Sequence, residues 1–169
     1  MTTIISLNKG DKVYIRGVLK ANNTSSNYTQ FKMTGKIAAS GNCNAIWNYQ
    51  ELNASLKNYC GCKMFYGCTS LTTAPELPAT NLSRYCYYYM FYNCASLTIA
   101  PELSATVLAE CCYYCMFYYC ASLTTAPELP ATTLAPYCYQ YMFSGCRSLN
   151  TSPELPATRL TKYCYSYMF

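Results

Sequence analysis

The stretch Cys86-Tyr-Tyr-Tyr-Met-Phe-Tyr-Asn-Cys94-Ala-Ser-Leu-Thr-Ile-Ala-Pro-Glu-Leu103 decides how the chain is read, because it recurs. Met-Phe pairs begin at Met64, Met90, Met116, Met142 and Met168, each 26 residues after the last. Two cysteine series keep the same step: Cys60, Cys86, Cys112, Cys138 and Cys164, and Cys68, Cys94, Cys120 and Cys146. Pro75, Pro101, Pro127 and Pro153 follow, each preceding a Glu and a Leu. Four full units run from Cys60 to Tyr163, residues 164–169 begin a fifth, and the first third of the chain is different. A fixed step places each residue beside its own copy in the next turn, so apolar and cysteine series become columns of a shared core.

Within one unit, Leu82, Cys86 and Met90 stand at i, i+4 and i+8, with Phe91 beside them. That stripe predicts a short helix over Leu82–Tyr92. Thr80 serves as its N-cap and recurs as Thr106, Thr132 and Thr158. The stretch Thr98–Leu103 has no helical stripe and contains Pro101, so it reads as a short extended strand. A period of 26 falls in the range of leucine-rich repeats, ~20–29 residues. The fold expected is an α/β solenoid of leucine-rich repeats over 60–169, four full units and a partial fifth. Residues 1–59 are expected to form a small β-rich N-terminal capping domain. Val13–Leu19 and Phe31–Ala38 alternate as two strands of an antiparallel cap, with a polar loop at Ala21–Asn27 between them. Up to Lys63 there are eight basic and two acidic residues, and beyond it four basic and five acidic, so the net +5 sits on the leader.

Composition narrows the function. The 169 residues include 20 Tyr and 13 Cys but no His, and only 11% are charged. Without His, the usual general base, metal ligand and nucleophile partner are missing. Asp11 is the single Asp. An enzyme is therefore disfavoured, and no catalytic residue, cofactor or metal is predicted. No basic run marks a nucleic-acid footprint. The longest apolar run, Cys111–Leu123, is too short to span a bilayer, so no membrane insertion is expected. The first ten residues show no secretory signal pattern.

The cysteines invite three readings. Cys112-Tyr-Tyr-Cys115 has redox spacing, but Cys112 belongs to a column and Cys115 takes a slot held elsewhere by Lys63, Tyr89, Tyr141 and Tyr167. A closed zinc site needs four converging ligands, and no His completes one. Column copies project in parallel, which disfavours disulfides. Most thiols are expected to be buried and free. The row Glu76, Glu102, Glu128 and Glu154 reads as a solvated face.

Seventeen of the tyrosines lie from Tyr59 onward. Tyr85, Tyr137 and Tyr163, and Tyr87, Tyr113, Tyr139 and Tyr165, recur at fixed slots and read as packing between turns. Other slots vary. One reads Cys62, Tyr88, Tyr114, Gln140, Ser166, and a pair reads Tyr66-Gly67, Tyr92-Asn93, Tyr118-Tyr119, Ser144-Gly145. Tyr, Ser, Asn and Gly at changing slots on a fixed frame is the composition of a recognition surface. The candidate binding residues are Tyr88, Tyr92, Asn93, Tyr114, Tyr118, Tyr119, Gln140 and Tyr141. The strand slots Thr72, Thr73, Thr98, Ile99, Thr124, Thr125, Asn150 and Thr151 form the rival surface.

The unit Cys-Tyr-x-x-Met-Phe-x-x-Cys-x-Ser-Leu-Thr-Thr-Ala-Pro-Glu-Leu-Pro-Ala-Thr-x-Leu resembles the BspA-like leucine-rich repeats of bacterial surface and phage-associated proteins. The match covers residues 60–169. Asn8–Gly17, Phe31–Gly35 and Gly41-Asn42 resemble that group's leader, from which Cys43-Asn-Ala-Ile-Trp47 departs. The resemblance implies a right-handed solenoid, no catalytic residues, and adhesion or receptor binding. The expected partner is a protein or glycan on a host surface, and the expected setting is extracellular, on a cell surface or a virion. The alternative is a spacer repeat with no ligand of its own. No closing turn follows the fifth unit, so self-association through the C-terminal end is also expected.

Overall fold

The backbone donors of each unit divide their hydrogen bonds in a strict alternation, and that alternation makes the architecture. The computed structural model describes residues 6, 8, 10–15, 24, 26, 28–43, 46 and 56–169. In the second unit Cys86, Tyr88, Met90, Tyr92 and Cys94 each donate to the carbonyl three residues earlier. Tyr85, Tyr89, Phe91 and Asn93 donate instead to Glu110, Tyr114, Met116 and Tyr118, 25 residues ahead in the next unit. The third unit repeats this from Cys111 to Cys120, and the fourth from Tyr137 to Phe143. The result is a ribbon of overlapping turns, bonded to itself and to the ribbon stacked on it. At Tyr87 the direction reverses, and its N–H donates to Cys60 in the preceding unit.

This overturns the α/β solenoid of leucine-rich repeats. Residues 84–93 are turns, and helical backbone occurs only at Ile46 among the described residues. The reason is in the dihedral angles. Tyr85, Tyr87, Tyr89 and Asn93 have φ of 60°, 59°, 55° and 55°. A right-handed helix cannot pass through such residues. The left-handed slots recur every four residues: Tyr59 and Lys63, Cys111, Cys115 and Tyr119, Tyr137 and Tyr141, Tyr163 and Tyr167, with Gly67 and Gly145 completing the first and fourth sets.

The strands are also fewer than expected. Strand β1 (Ile37–Ala38) pairs in parallel with β2 (Leu71–Thr73). Elsewhere the extended stretches meet only as single parallel bridges, Thr73 to Ile99 to Thr125 and Asn81 to Val107 to Thr133. Pro101 and Pro127 lie two residues beyond the bridge positions and supply no N–H, so a ladder cannot propagate.

The expected β-rich antiparallel cap is corrected too. Asp11–Ile15 is exposed and joins no strand. Residues 16–23, the loop positions 25 and 27, and Asn44, Ala45 and Trp47 of the junction lie outside the described residues. What covers the first unit is residues 31–43, which behave as a preceding turn of the stack. The Phe31 N–H donates to Met64 at 2.7 Å, as Phe65, Phe91 and Phe117 donate to Met90, Met116 and Met142. The Cys68 thiol donates to the Phe31 carbonyl at 3.0 Å. The thiols of Cys94, Cys120 and Cys146 do the same to Phe65, Phe91 and Phe117 at 3.1, 3.1 and 3.0 Å. Asn42 then pairs with Glu76, which carries Cys43 into the core.

The core is a set of columns. Met64, Met90, Met116 and Met142 are fully buried, as are Leu71, Leu97 and Leu123. Phe31, Phe65, Phe91, Phe117, Phe143 and Phe169 follow one another at centroid spacings of 5.3 to 5.8 Å. Tyr87, Tyr113, Tyr139 and Tyr165 form a second ring column at 5.7 to 6.0 Å. Ring pairs contribute about 0.5–1.5 kcal/mol beyond burial. A left-handed residue costs about 1–2 kcal/mol. A backbone hydrogen bond contributes about 0.5–1.5 kcal/mol net, and a buried donor left unpaired costs more. Tyr85 shows the balance in one residue: its N–H bonds forward at 3.0 Å and its ring stacks on Tyr59 at 4.6 Å and 4°.

Tyr85 therefore separates turn from helix. Tyr85→Asn and Tyr85→Val both remove the ring, but Asn tolerates left-handed backbone and a β-branched side chain does not. In urea unfolding, the Val variant is expected to be about 1–2 kcal/mol less stable than the Asn variant. In a helix the two would be nearly equal, and equal stabilities would contradict this backbone.

Candidate recognition surface

In each ribbon, inward side chains alternate in pairs with outward ones. Residues 86, 87, 90, 91 and 94 are buried, while 88, 89, 92 and 93 are half-buried at the surface. Stacking in register turns the outward slots into columns. Tyr66, Tyr92 and Tyr118 lie parallel at 4.6 Å and 5.3 Å. Tyr88 stacks on Tyr114 at 5.1 Å, and Tyr141 on Tyr167 at 5.0 Å. Crossing rings join the columns. Tyr89 meets Tyr88 at 4.5 Å and 73°, Tyr119 meets Tyr118 at 4.4 Å and 78°, and Tyr141 meets both Tyr114 and Tyr118 near 6 Å. The outcome is one continuous aromatic face across four units.

Six of the eight sequence-selected residues, Tyr88, Tyr92, Tyr114, Tyr118, Tyr119 and Tyr141, make these ring contacts. Asn93 and Gln140 occupy outward slots of the same columns and are half-buried. The sequence reading leaves out Tyr66 and Tyr89. Their signal is the same step of 26, to Tyr92 and, two steps on, to Tyr141.

Cys115 sits beneath this face, 3% exposed, where the neighbouring units place Tyr89 and Tyr141. Burial pushes its thiol up to about 12. Burial likewise raises the phenols of Tyr88, Tyr89 and Tyr114, so the face stays uncharged near neutral pH. Within the outward slots the only charged side chain is Lys63, which lies over the Tyr28 ring at 4.8 Å. Arg84 and Glu110 pair at 2.5 Å on the edge of the face, an exposed contact of little energetic weight.

The rival strand strip is more open. Ile99 is 68% exposed, and Glu76, Glu102, Glu128 and Glu154 are exposed as a row. A groove of about 300 Å³ beside it is lined by Pro101, Glu102, Leu103, Pro127, Glu128 and Pro130. All 13 cysteines are free thiols, and 12 of them are buried. Among the described residues no group of three or more Cys, Asp or Glu side chains is placed to hold a metal ion. No described helix is long and apolar enough to cross a membrane.

No protein-family model matches the chain, and neither a curated protein nor a solved structure matches it. The resemblance to BspA-like repeats rests on the motif residues alone.

The thiols set a pH limit. Burial pushes Cys68, Cys86 and Cys146 from 9.0 up to about 11. The unfolded chain releases these protons first, so the stability they contribute is intact below about pH 8 and lost as pH rises from about 9 through 11. Thermal unfolding between pH 7 and 11 is expected to show that decline, and a flat profile would contradict the burial. In the native protein at pH 8 an aromatic disulfide reagent is expected to label few thiols; in denaturant without reductant it should label all 13.

Proposed function

We propose that the chain is a non-enzymatic recognition module that binds a protein or glycan on a host surface through its tyrosine face. The observation that carries this reading is the uncharged face of stacked and crossed rings on a rigid, fully hydrogen-bonded frame. Tyrosine offers large amphipathic contact area with little rotamer freedom to lose, and here the stacks have already taken that freedom. Repeated weak contacts along four units would add up through avidity. The reading places the protein outside the cell, on a cell surface or virion. Burial of the thiols supports that setting, because buried, protonated cysteines resist oxidation.

The spacer alternative predicts no ligand. A screen against matrix proteins and glycans separates the two. Tyr88→Ser, Tyr92→Ser, Tyr118→Ser and Tyr119→Asn, combined, place residue types already native to this class of slot (Ser166, Ser144, Asn93). This variant is expected to abolish any binding while keeping cooperative unfolding. Binding that persists would move the site elsewhere, with the strand strip next in line.

Self-association belongs to the same proposal. Tyr163, Tyr167 and Phe169 are 54%, 68% and 58% exposed, where Tyr137 and Tyr141 are half-buried and Phe143 is 1% exposed one unit earlier. That face presents ribbon N–H groups. Two copies meeting face to face would set donor against donor, so the association would rest on ring and apolar contact alone. Light scattering is expected to show a weak rise in mass with concentration, and a strict monomer throughout would count against it.

A further inference from the structure

Most rings on the face have a copy to stack on. Tyr119 does not, because its slot holds Asn93 in the unit before and Gly145 in the unit after. It crosses Tyr118 at 78° and Tyr92 at 84°, so its plane stands perpendicular to the stacked columns. Its ring lies across the step to the next unit, over Gly145, and a methyl group on that glycine would run into the ring. With one face on the glycine backbone and one edge on Tyr118, its 45% exposure belongs to the opposite face. A flat ring is thus held open by a glycine notch.

The surroundings select the ligand chemistry. Asn93, Gln140 and Ser144 stand half-buried in the outward slots of this unit's neighbours, and all are uncharged. Lys63, the one charge among these slots, lies two units away. A charged ligand would lose its hydration here without gaining a counter-charge. A neutral ring with an apolar face and a hydroxyl rim loses nothing of that kind. Its C–H face covers the Tyr119 ring, and its hydroxyls reach amide and hydroxyl partners. The edges of Tyr66, Tyr92 and Tyr118 step beside this seat at 4.6 and 5.3 Å and offer repeated contacts to a repeating chain.

We infer that Tyr119, seated on Gly145 and flanked by Asn93, Gln140 and Ser144, is the anchoring platform for one sugar ring of a neutral oligosaccharide. The inference rests on the recognition reading above and narrows it to one ligand class.

The test uses the full chain and hexasaccharides of β-linked glucose, xylose, galactose and N-acetylglucosamine and of α-linked mannose, with a sialylated glycan as the charged control. Saturation-transfer NMR and tyrosine fluorescence are the readouts. At least one neutral hexasaccharide is expected to bind and to perturb the Tyr119 ring protons. Tyr119→Ala should weaken binding at least about tenfold, while Tyr119→Trp retains it. Gly145→Ala should weaken it comparably, because the methyl group lifts the ring. The wild-type ring perturbation keeps the test valid if that variant is destabilised by its left-handed backbone. Sugar binding unchanged in Tyr119→Ala overturns the seat. If no neutral sugar binds but a protein partner binds through the tyrosine face, the ligand class is wrong and the recognition reading stands. If nothing binds, both fall.

Discussion

The hydrogen bond from the Phe91 N–H to the Met116 carbonyl, 3.0 Å long, is the interaction from which the rest follows. It links a residue to a carbonyl 25 positions ahead, and its copies run through every ribbon. Once alternate donors are committed to the next unit, the donors between them can reach only the carbonyl three residues back. A helix is then excluded, since its donors all point the same way along one chain. The backbone meets both demands by turning left-handed every fourth residue. The strain that this stores is offset unit by unit by the bonds and ring pairs it makes possible. Each unit therefore depends on its neighbours, and the leader residues 31–43 supply the neighbour for the first.

The surface is a consequence of the same constraint. Left-handed backbone at Tyr89, Tyr119 and Tyr141 aims these rings across the parallel columns rather than into them. A face made of columns alone would present ring edges. The crossing tyrosines tie adjacent units together, and at Tyr119 they leave a ring face open. Recognition chemistry and structural strain thus meet in the same residues.

The repeat was fully legible in the sequence, and with it the in-register columns of Met, Phe, Leu and Cys. The local backbone was not. A stripe at Leu82, Cys86 and Met90 fits a helix, but the turn ribbon has a period of four, which tracks a period of 3.6 over only nine residues. A discriminating signal was present. Gly67, Asn93 and Gly145 share one slot, and those residue types tolerate left-handed backbone. Tyr119 in the same slot masked it. The strands were overestimated because Pro101 and its copies interrupt pairing between turns, not only within one. The leader's role was hidden by spacing: Phe31 opens the Phe column, yet stands 34 residues before Phe65 rather than 26. The varying tyrosines were legible as a surface, but their crossing geometry follows from dihedral angles that no spacing reveals.

The most direct test is measurement of scalar couplings through the hydrogen bonds by NMR on labelled protein. The account predicts couplings from the Tyr89, Phe91 and Asn93 amide nitrogens to the carbonyl carbons of Tyr114, Met116 and Tyr118, with Tyr88, Met90 and Tyr92 coupled to carbonyls three residues earlier. Couplings from all six amides to carbonyls four residues earlier in the same unit would contradict it.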